Sequence, residues 1–177
     1  MLLDIVKKRR SIRRFTDEKV SDDDIKKILE ITLHAPTAKN RNAVRYIVVK
    51  DKNRLEELSN YKVRNANFIK DAGAAIAVVS DKNIAPNTYY QDACIAATFL
   101  MLAVTDIGLG STWVNVVDAV HESGKSAKDF LREFFDLDEN YDVECIIAIG
   151  HIGEEKSQRK PFDYKEVVYE DKYDKTK

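Results

Sequence analysis

The run ACIAATFLMLAV at 93–104 constrains the fold more than any other segment, because Thr98 is its only polar residue. Thr88 with Gln91 reads as a capping box ahead of it and Gly108 as its stop, so the pattern predicts a helix to about Ile107. The apolar run is too short to cross a bilayer and has Asp92 and Asp106 at its flanks. A helix that is apolar on every face has to be buried on every face. In a chain of 177 residues, packing against a second subunit is one way to achieve that.

The other elements follow from periodicity and caps. Leu2, Ile5 and Val6 fall at helical spacing ahead of a run of cations, which suits a helix C-terminus. Ser21 with Asp24 caps a second amphipathic helix carrying Ile25, Ile28, Leu29 and Leu33. YIVV at 46–49, AAIAVV at 74–79, TWVNVV at 112–117 and VECIIAI at 143–149 read as strands, the last buried on both faces. Short helices are predicted over 53–60 and 65–71, and Ala127, Phe130, Leu131, Phe134 and Phe135 mark an amphipathic helix. Strands and helices mix without strict alternation, which points to the α+β class. The chain is read as a single domain over 1–177, with about 163–177 forming a C-terminal arm that lies on some surface.

Composition removes several function classes. The net charge is −1, which excludes a strongly basic nucleic-acid coat. Cys94 and Cys145 lie far apart outside any CxxC, so neither a disulfide scaffold nor a four-cysteine zinc site is expected. His34, His121 and His151 have no metal-ligand spacing, so no metal is expected. The N-terminal segment puts apolar residues before charges, the reverse of a signal peptide, so a cytoplasmic protein is expected, without membrane or nucleic-acid partners.

AVHESGKS at 119–126 is similar to a phosphate-binding loop but has Ala119 where the first glycine belongs, and no later strand ends in a magnesium-binding aspartate. A capped helix start at Ser123 or Ser126 is the favoured reading. RRSIRRF at 9–15 is more informative: forked guanidinium donors with a serine between them suit an anion, although a solvated helix end has the same composition. APTAKNRNA at 35–43 supplies small and amide groups in a tight loop, which suits either turn chemistry or the polar edge of a planar heterocycle. Lys156, Arg159 and Lys160 add cations after the last strand.

Together these segments resemble the nitroreductase-like, FMN-dependent oxidoreductases. The matching stretches are RRSIRRF, APTAKNRNAVRYIVV, DACIAATFLMLAVTDIGLGSTW and IAIGHIGEEKSQRKPF, in that order. The resemblance implies a central, mostly antiparallel sheet wrapped by helices, in an intertwined homodimer whose C-terminal arm embraces the partner. It implies an FMN at each subunit interface. Carried over by position, Arg9, Arg10 and Ser11 bind phosphate and ribityl, and Arg13 faces the pyrimidine end of the flavin. Thr37, Ala38, Asn40 and Asn42 come from the other subunit, and Asn65 contacts the flavin edge. Leu109, Gly110 and Ser111 bring backbone against the ring system, and Arg159 supplies the late phosphate arginine. Ala43 and Val44 replace the usual Pro-Trp, which implies a smaller pocket wall.

The implied activity is transfer of hydride from NADH or NADPH through flavin N5, by ping-pong traffic, to a nitroaromatic, a quinone or another small oxidised acceptor. The flavin carries the chemistry, so no catalytic side chain is named beyond Arg13 tuning it. Other branches of the family, reductive dehalogenation or flavin modification, and a non-catalytic FMN-binding protein remain alternatives. So does a phosphotransferase built on AVHESGKS.

Overall fold

The computed structural model describes residues 1–157 and 159–173. Four strands, β1 (Val44–Val49), β2 (Ala74–Asp81), β3 (Gly110–Asn115) and β4 (Tyr141–Gly150), form one antiparallel sheet in the order β1-β2-β4-β3. The central strands β2 and β4 are buried almost end to end, as their continuous apolar runs require. Alternate residues feed two cores. Ala75, Ala77, Val79 and Ile146 face α3 (Lys52–Leu58), a 3-10 turn (Asn67–Asp71) and α5 (Ala127–Phe134). Ala74, Ile76, Val78, Cys145 and Ile147 face α2 (Asp22–Thr32) and α4 (Tyr89–Asp106). The fold is therefore the α+β arrangement expected, with helices on both faces of an antiparallel sheet.

Two of the predicted caps form. Ser21 Oγ accepts the Asp24 N–H at 3.0 Å, and Ser126 Oγ accepts the Asp129 N–H at 3.1 Å. The predicted box at Thr88 does not, because its side chain caps nothing. The chain instead enters α4 through a turn in which the Thr88 and Tyr89 N–H groups donate to the Ala85 carbonyl. Gly108 ends the helix with φ +85°. Strand β3 starts two residues before the predicted TWVNVV because the chain at Gly110 is already paired with Gly150. The chain buries most of α4 but leaves Gln91, Ile95 and Thr98 exposed along one face.

The pairing of β2 with β4 shifts between Val78 and Val79, so Glu144 is an extra residue in β4. Its side chain is fully buried, 3.6 Å from Lys128 Nζ. Neighbouring Asp142 is held by Lys82, Lys128 and Arg132 at 3.0, 2.9 and 3.0 Å.

Phe162, Tyr164, Val167 and Tyr173 lie exposed around α6 (Tyr164–Val167). The tip of the expected arm, residues 174–177, lies outside the described residues. Among the described residues no helix is long and apolar enough to cross a membrane.

Candidate functional site: a cationic cleft at one sheet edge

Helix α1 (Leu2–Lys8) delivers the arginine-rich segment to the outer edge of β3. There Ser11 bridges Ser111 in parallel, the Ile12 N–H donates to the Ser111 carbonyl at 3.0 Å, and the Thr112 hydroxyl donates to the Ile12 carbonyl. The approach is close enough that a Cβ at Gly110 would meet Ile12 at 2.9 Å. This is the physical reason for glycine at that position.

The other end of the chain is stitched to the same segment. Thr16 N–H donates to the His151 carbonyl at 3.0 Å, and Gly153 N–H to the Arg14 carbonyl at 2.9 Å. Glu154 Oε1 accepts the N–H groups of Arg13 and Arg14 at 2.7 and 3.3 Å, while its Oε2 pairs with Lys156 at 2.7 Å. The backbone N–H of Arg13, then Lys156, holds the Glu154 carboxyl below the usual glutamate range. As a result Arg9, Arg10, Ser11, Arg13, Lys156 and Arg159 line one cleft of about 260 Å³.

Leu109 and Gly110 line an adjoining cavity of about 290 Å³ that shares Arg10 and Lys156 with the cleft. Of the five buried side-chain polar atoms without a hydrogen-bond partner among the described residues, two, Arg10 Nη1 and Ser111 Oγ, lie on this segment and the strand edge that it meets. Buried donors of this kind are costly unless something accepts from them. Asn65 is exposed with φ +60°, on the loop leading to Phe68, whose ring centre lies 6.0 Å from the Arg13 guanidinium.

The remaining predicted residues are elsewhere. Thr37, Ala38, Asn40 and Asn42 precede β1, where Ala38 N–H donates to Asp92 Oδ1 at 3.0 Å and Asn42 N–H to Thr37 Oγ1 at 3.2 Å. Lys39, Asn40 and Asn42 all take left-handed backbone, with φ of 53, 54 and 52°, which asparagine tolerates better than most residues. The sheet register pairs Val44 with Ser80 and Ser80 with Asp142, whereas Gly110 pairs with Gly150 at the opposite end. The loop and the cationic cleft therefore occupy diagonally opposite corners of the sheet, and a single chain does not bring them together. Ala43 is fully buried and Val44 packs against the α4-side core. Of the two positions that differ from the Pro-Trp expected by resemblance, Ala43 is thus interior and Val44 half-buried.

Sequence reasoning did not place Lys156 and Glu154 in the site. Their only signal is charge immediately after GHIG, which also describes an ordinary solvated loop. The phosphate-loop reading of AVHESGKS fails on geometry: Lys125 Nζ is engaged by Glu133 at 2.7 Å and Ser126 is the cap of α5.

The model of the nitroreductase family matches residues 6–66 and 54–151. A protein of Archaeoglobus fulgidus, named as a candidate NADH dehydrogenase/NAD(P)H nitroreductase, is 33% identical over 157 residues, covering 87% of each chain. The chain belongs to the nitroreductase family. An FMN-dependent nitroreductase from Clostridium difficile superposes with a TM-score of 0.90 at 35% identity, over 97% of this chain and 99% of that one. A candidate nitroreductase of Desulfovibrio desulfuricans, solved in complex with FMN, gives 0.79 at 28% identity over 98% of each.

Proposed function

We propose that this protein is an FMN-dependent NAD(P)H oxidoreductase of nitroreductase type, acting as a homodimer on a nitroaromatic, quinone or other small oxidised acceptor. The observation that carries the reading is the cleft of Arg9, Arg10, Ser11, Arg13, Lys156 and Arg159, drawn from both ends of the chain. Forked cationic donors and a serine hydroxyl fit a phosphate monoester. The unpaired Arg10 Nη1, on a residue that lines the cleft, and Ser111 Oγ, beside Gly110, are donors that such a ligand would satisfy. The names of the similar proteins, which speak of FMN and NAD(P)H, support the same choice.

When bound, FMN supplies two-electron hydride chemistry between a nicotinamide donor and the acceptor. The chain's own residues do the rest. Arg9, Arg10, Ser11 and Arg159 hold the phosphate and ribityl end. Leu109, Gly110 and Ser111 present backbone to the ring system, and Gly110 lacks a side chain that would push Ile12 and the arginine segment away. Arg13 places positive charge where reduced flavin gathers negative charge, and an oriented cation there favours the reduced form. Thr37, Ala38, Asn40 and Asn42 reach the site of the partner subunit, a reading that their diagonal position supports. Asn65 borders the flavin edge beside Phe68.

The test is an absorption spectrum of the purified protein, with mass spectrometry of any released chromophore, followed by NADH and NADPH oxidation with nitroaromatic, quinone and iodophenol acceptors. Stoichiometric FMN and donor oxidation with one acceptor class support the reading. A colourless protein that takes up no FMN when it is supplied in excess overturns it. Bound FMN without donor oxidation reduces the protein to a flavin carrier.

A further inference from the structure

A carboxylate beside a cleft built for an anion is a puzzle, because it repels the ligand that the cations attract. Glu154 is such a carboxylate: it lines the adjoining cavity, its side chain is 14% exposed, and it bonds the Arg13 and Arg14 backbone N–H groups and Lys156. Its bonds explain what it gives in return. One oxygen takes two consecutive backbone N–H groups, those of Arg13 and Arg14, across a sequence separation of 141 and 140 residues. Arg14 is gripped from its other side too, since its carbonyl accepts the Gly153 N–H at 2.9 Å. Both peptide groups flanking the Cα of Arg13 are thereby tied down, the earlier by Glu154 and by the Thr112 hydroxyl on the Ile12 carbonyl, the later by Glu154 alone, while the Gly153 bond holds the next peptide along.

We infer that Glu154 is a positioning residue for the flavin chemistry: by clamping the backbone at Arg13 and Arg14 it fixes where the Arg13 guanidinium stands, and so tunes the bound flavin. This inference rests on the FMN reading above. A fixed backbone sets the few staggered directions in which the Arg13 side chain starts. Arg13 is exposed, with its guanidinium 6.0 Å from the Phe68 ring centre, and freeing the backbone lets that charge move away from the site, where its effect on the flavin falls steeply with distance. The second oxygen has a separate task. It pairs with Lys156, which belongs to the cleft, so its loss changes anion binding without freeing Arg13.

The two tasks separate by substitution. Glu154→Gln keeps a carbonyl oxygen for the Arg13 and Arg14 N–H groups but loses the charge that faces Lys156. Glu154→Ala loses both. In FMN-loaded protein, Glu154→Ala shifts the flavin potential to more negative values, in the same direction as Arg13→Ala, while Glu154→Gln stays near wild type. Lys156→Ala weakens FMN binding about tenfold, the scale of one charge-assisted hydrogen bond, with little change in potential. In the double variant Arg13→Ala/Glu154→Ala the second change adds no further shift, because Glu154 acts through Arg13.

A readout in the FMN-free protein accompanies these. Amide exchange at Arg13 and Arg14 accelerates about tenfold or more in Glu154→Ala and not in Glu154→Gln. If Glu154→Ala does not fold, Glu154→Asp, whose carboxylate is shorter by one methylene, replaces it and shifts both readouts the same way. A wild-type potential in loaded Glu154→Ala, or a full additive shift in the double variant, overturns the inference. Failure of the wild-type protein to take up FMN overturns the functional reading instead, and the amide exchange still tests the clamp.

Discussion

Gly110 faces Ile12 so closely that a Cβ at position 110 would stand 2.9 Å from the Ile12 Cβ and Cγ1. These are atoms near the backbone, so no flexible tip can move aside. Gly110→Ala therefore has to displace the whole Ser11–Ile12 segment, together with its bonds to Ser111 and Thr112. The expected result is a loss of about 2 kcal/mol in stability, the usual scale for overpacking. FMN binding should weaken in parallel because the arginines move with the segment. Denaturant unfolding and a flavin titration check both. Unchanged values on each would mean that the contact is relieved elsewhere.

Arg13→Ala tests the charge in the proposed site. Removing an oriented cation from the pyrimidine end should make the flavin potential more negative and slow reduction by NADH or NADPH about tenfold or more. FMN should still bind, since Arg9, Arg10 and Arg159 remain. Rapid-mixing reduction of the fully loaded variant is the measurement, and an unchanged potential would remove Arg13 from this role.

Asp142 and Glu144 lie two residues apart on β4 and should respond to pH in opposite senses. Burial pushes the Asp142 carboxyl up, but hydrogen bonds from Lys128 and Lys82 outweigh it and leave it below the ordinary aspartate value of 3.8. Its stabilising effect is present above that value and is lost as pH falls through the lower, folded value. Burial pushes the Glu144 carboxyl above its ordinary 4.5, and Lys128 only partly opposes it. The folded protein then binds the Glu144 proton more tightly than the unfolded chain, so stability is lost as pH rises above 4.5. Accordingly Asp142→Asn should cost about 2 kcal/mol at neutral pH, because it leaves three cations without their shared carboxylate. Glu144→Gln should gain on wild type as pH rises above about 4.5, by at most about 1.4 kcal/mol per pH unit. Unfolding midpoints from pH 3.5 to 8 distinguish these; parallel curves for wild type and Glu144→Gln would mean that Glu144 is ionised in the folded protein.

The pattern of what the sequence discloses is physical. Burial on both faces needs unbroken apolar runs, so β2, β4 and α4 are readable from composition along the chain. Local caps at Ser21 and Ser126 are readable too, because donor and acceptor lie three residues apart. Thr88 shows the limit, since its box has the right spacing while a preceding turn at Ala85 supplies the bonds instead. Glu144 breaks an apolar run by occupying a bulge, and a bulge depends on the register with β2 rather than on β4 alone. Glu154 looks like surface charge because the N–H groups it accepts lie at the other end of the chain, and Lys156 because most of the arginines it joins in the cleft lie there too. The arginine segment and the loop at Thr37–Asn42 are each legible as polar features, but only the strand order reveals that they lie at opposite corners.

That separation leads to the most direct test of the proposed dimer. If each flavin uses the arginines of one protomer and the Thr37–Asn42 loop of its partner, two defective chains can repair each other. Arg9→Ala/Arg10→Ala removes the phosphate donors, while Thr37→Ala/Asn42→Ala removes the Asn42 N–H to Thr37 Oγ1 bond, 3.2 Å long, that shapes the loop. Each homodimer alone should retain little FMN. When the two chains are unfolded, mixed in equal amounts and refolded, about half of the dimers are mixed, and in each of those one site is fully intact and the other carries both defects. About a quarter of the sites should then regain FMN and donor oxidation. No recovery in the mixture, with half-occupancy when either variant is mixed with wild type, would place each complete site within a single protomer and break the link between the diagonal corners and the shared flavin.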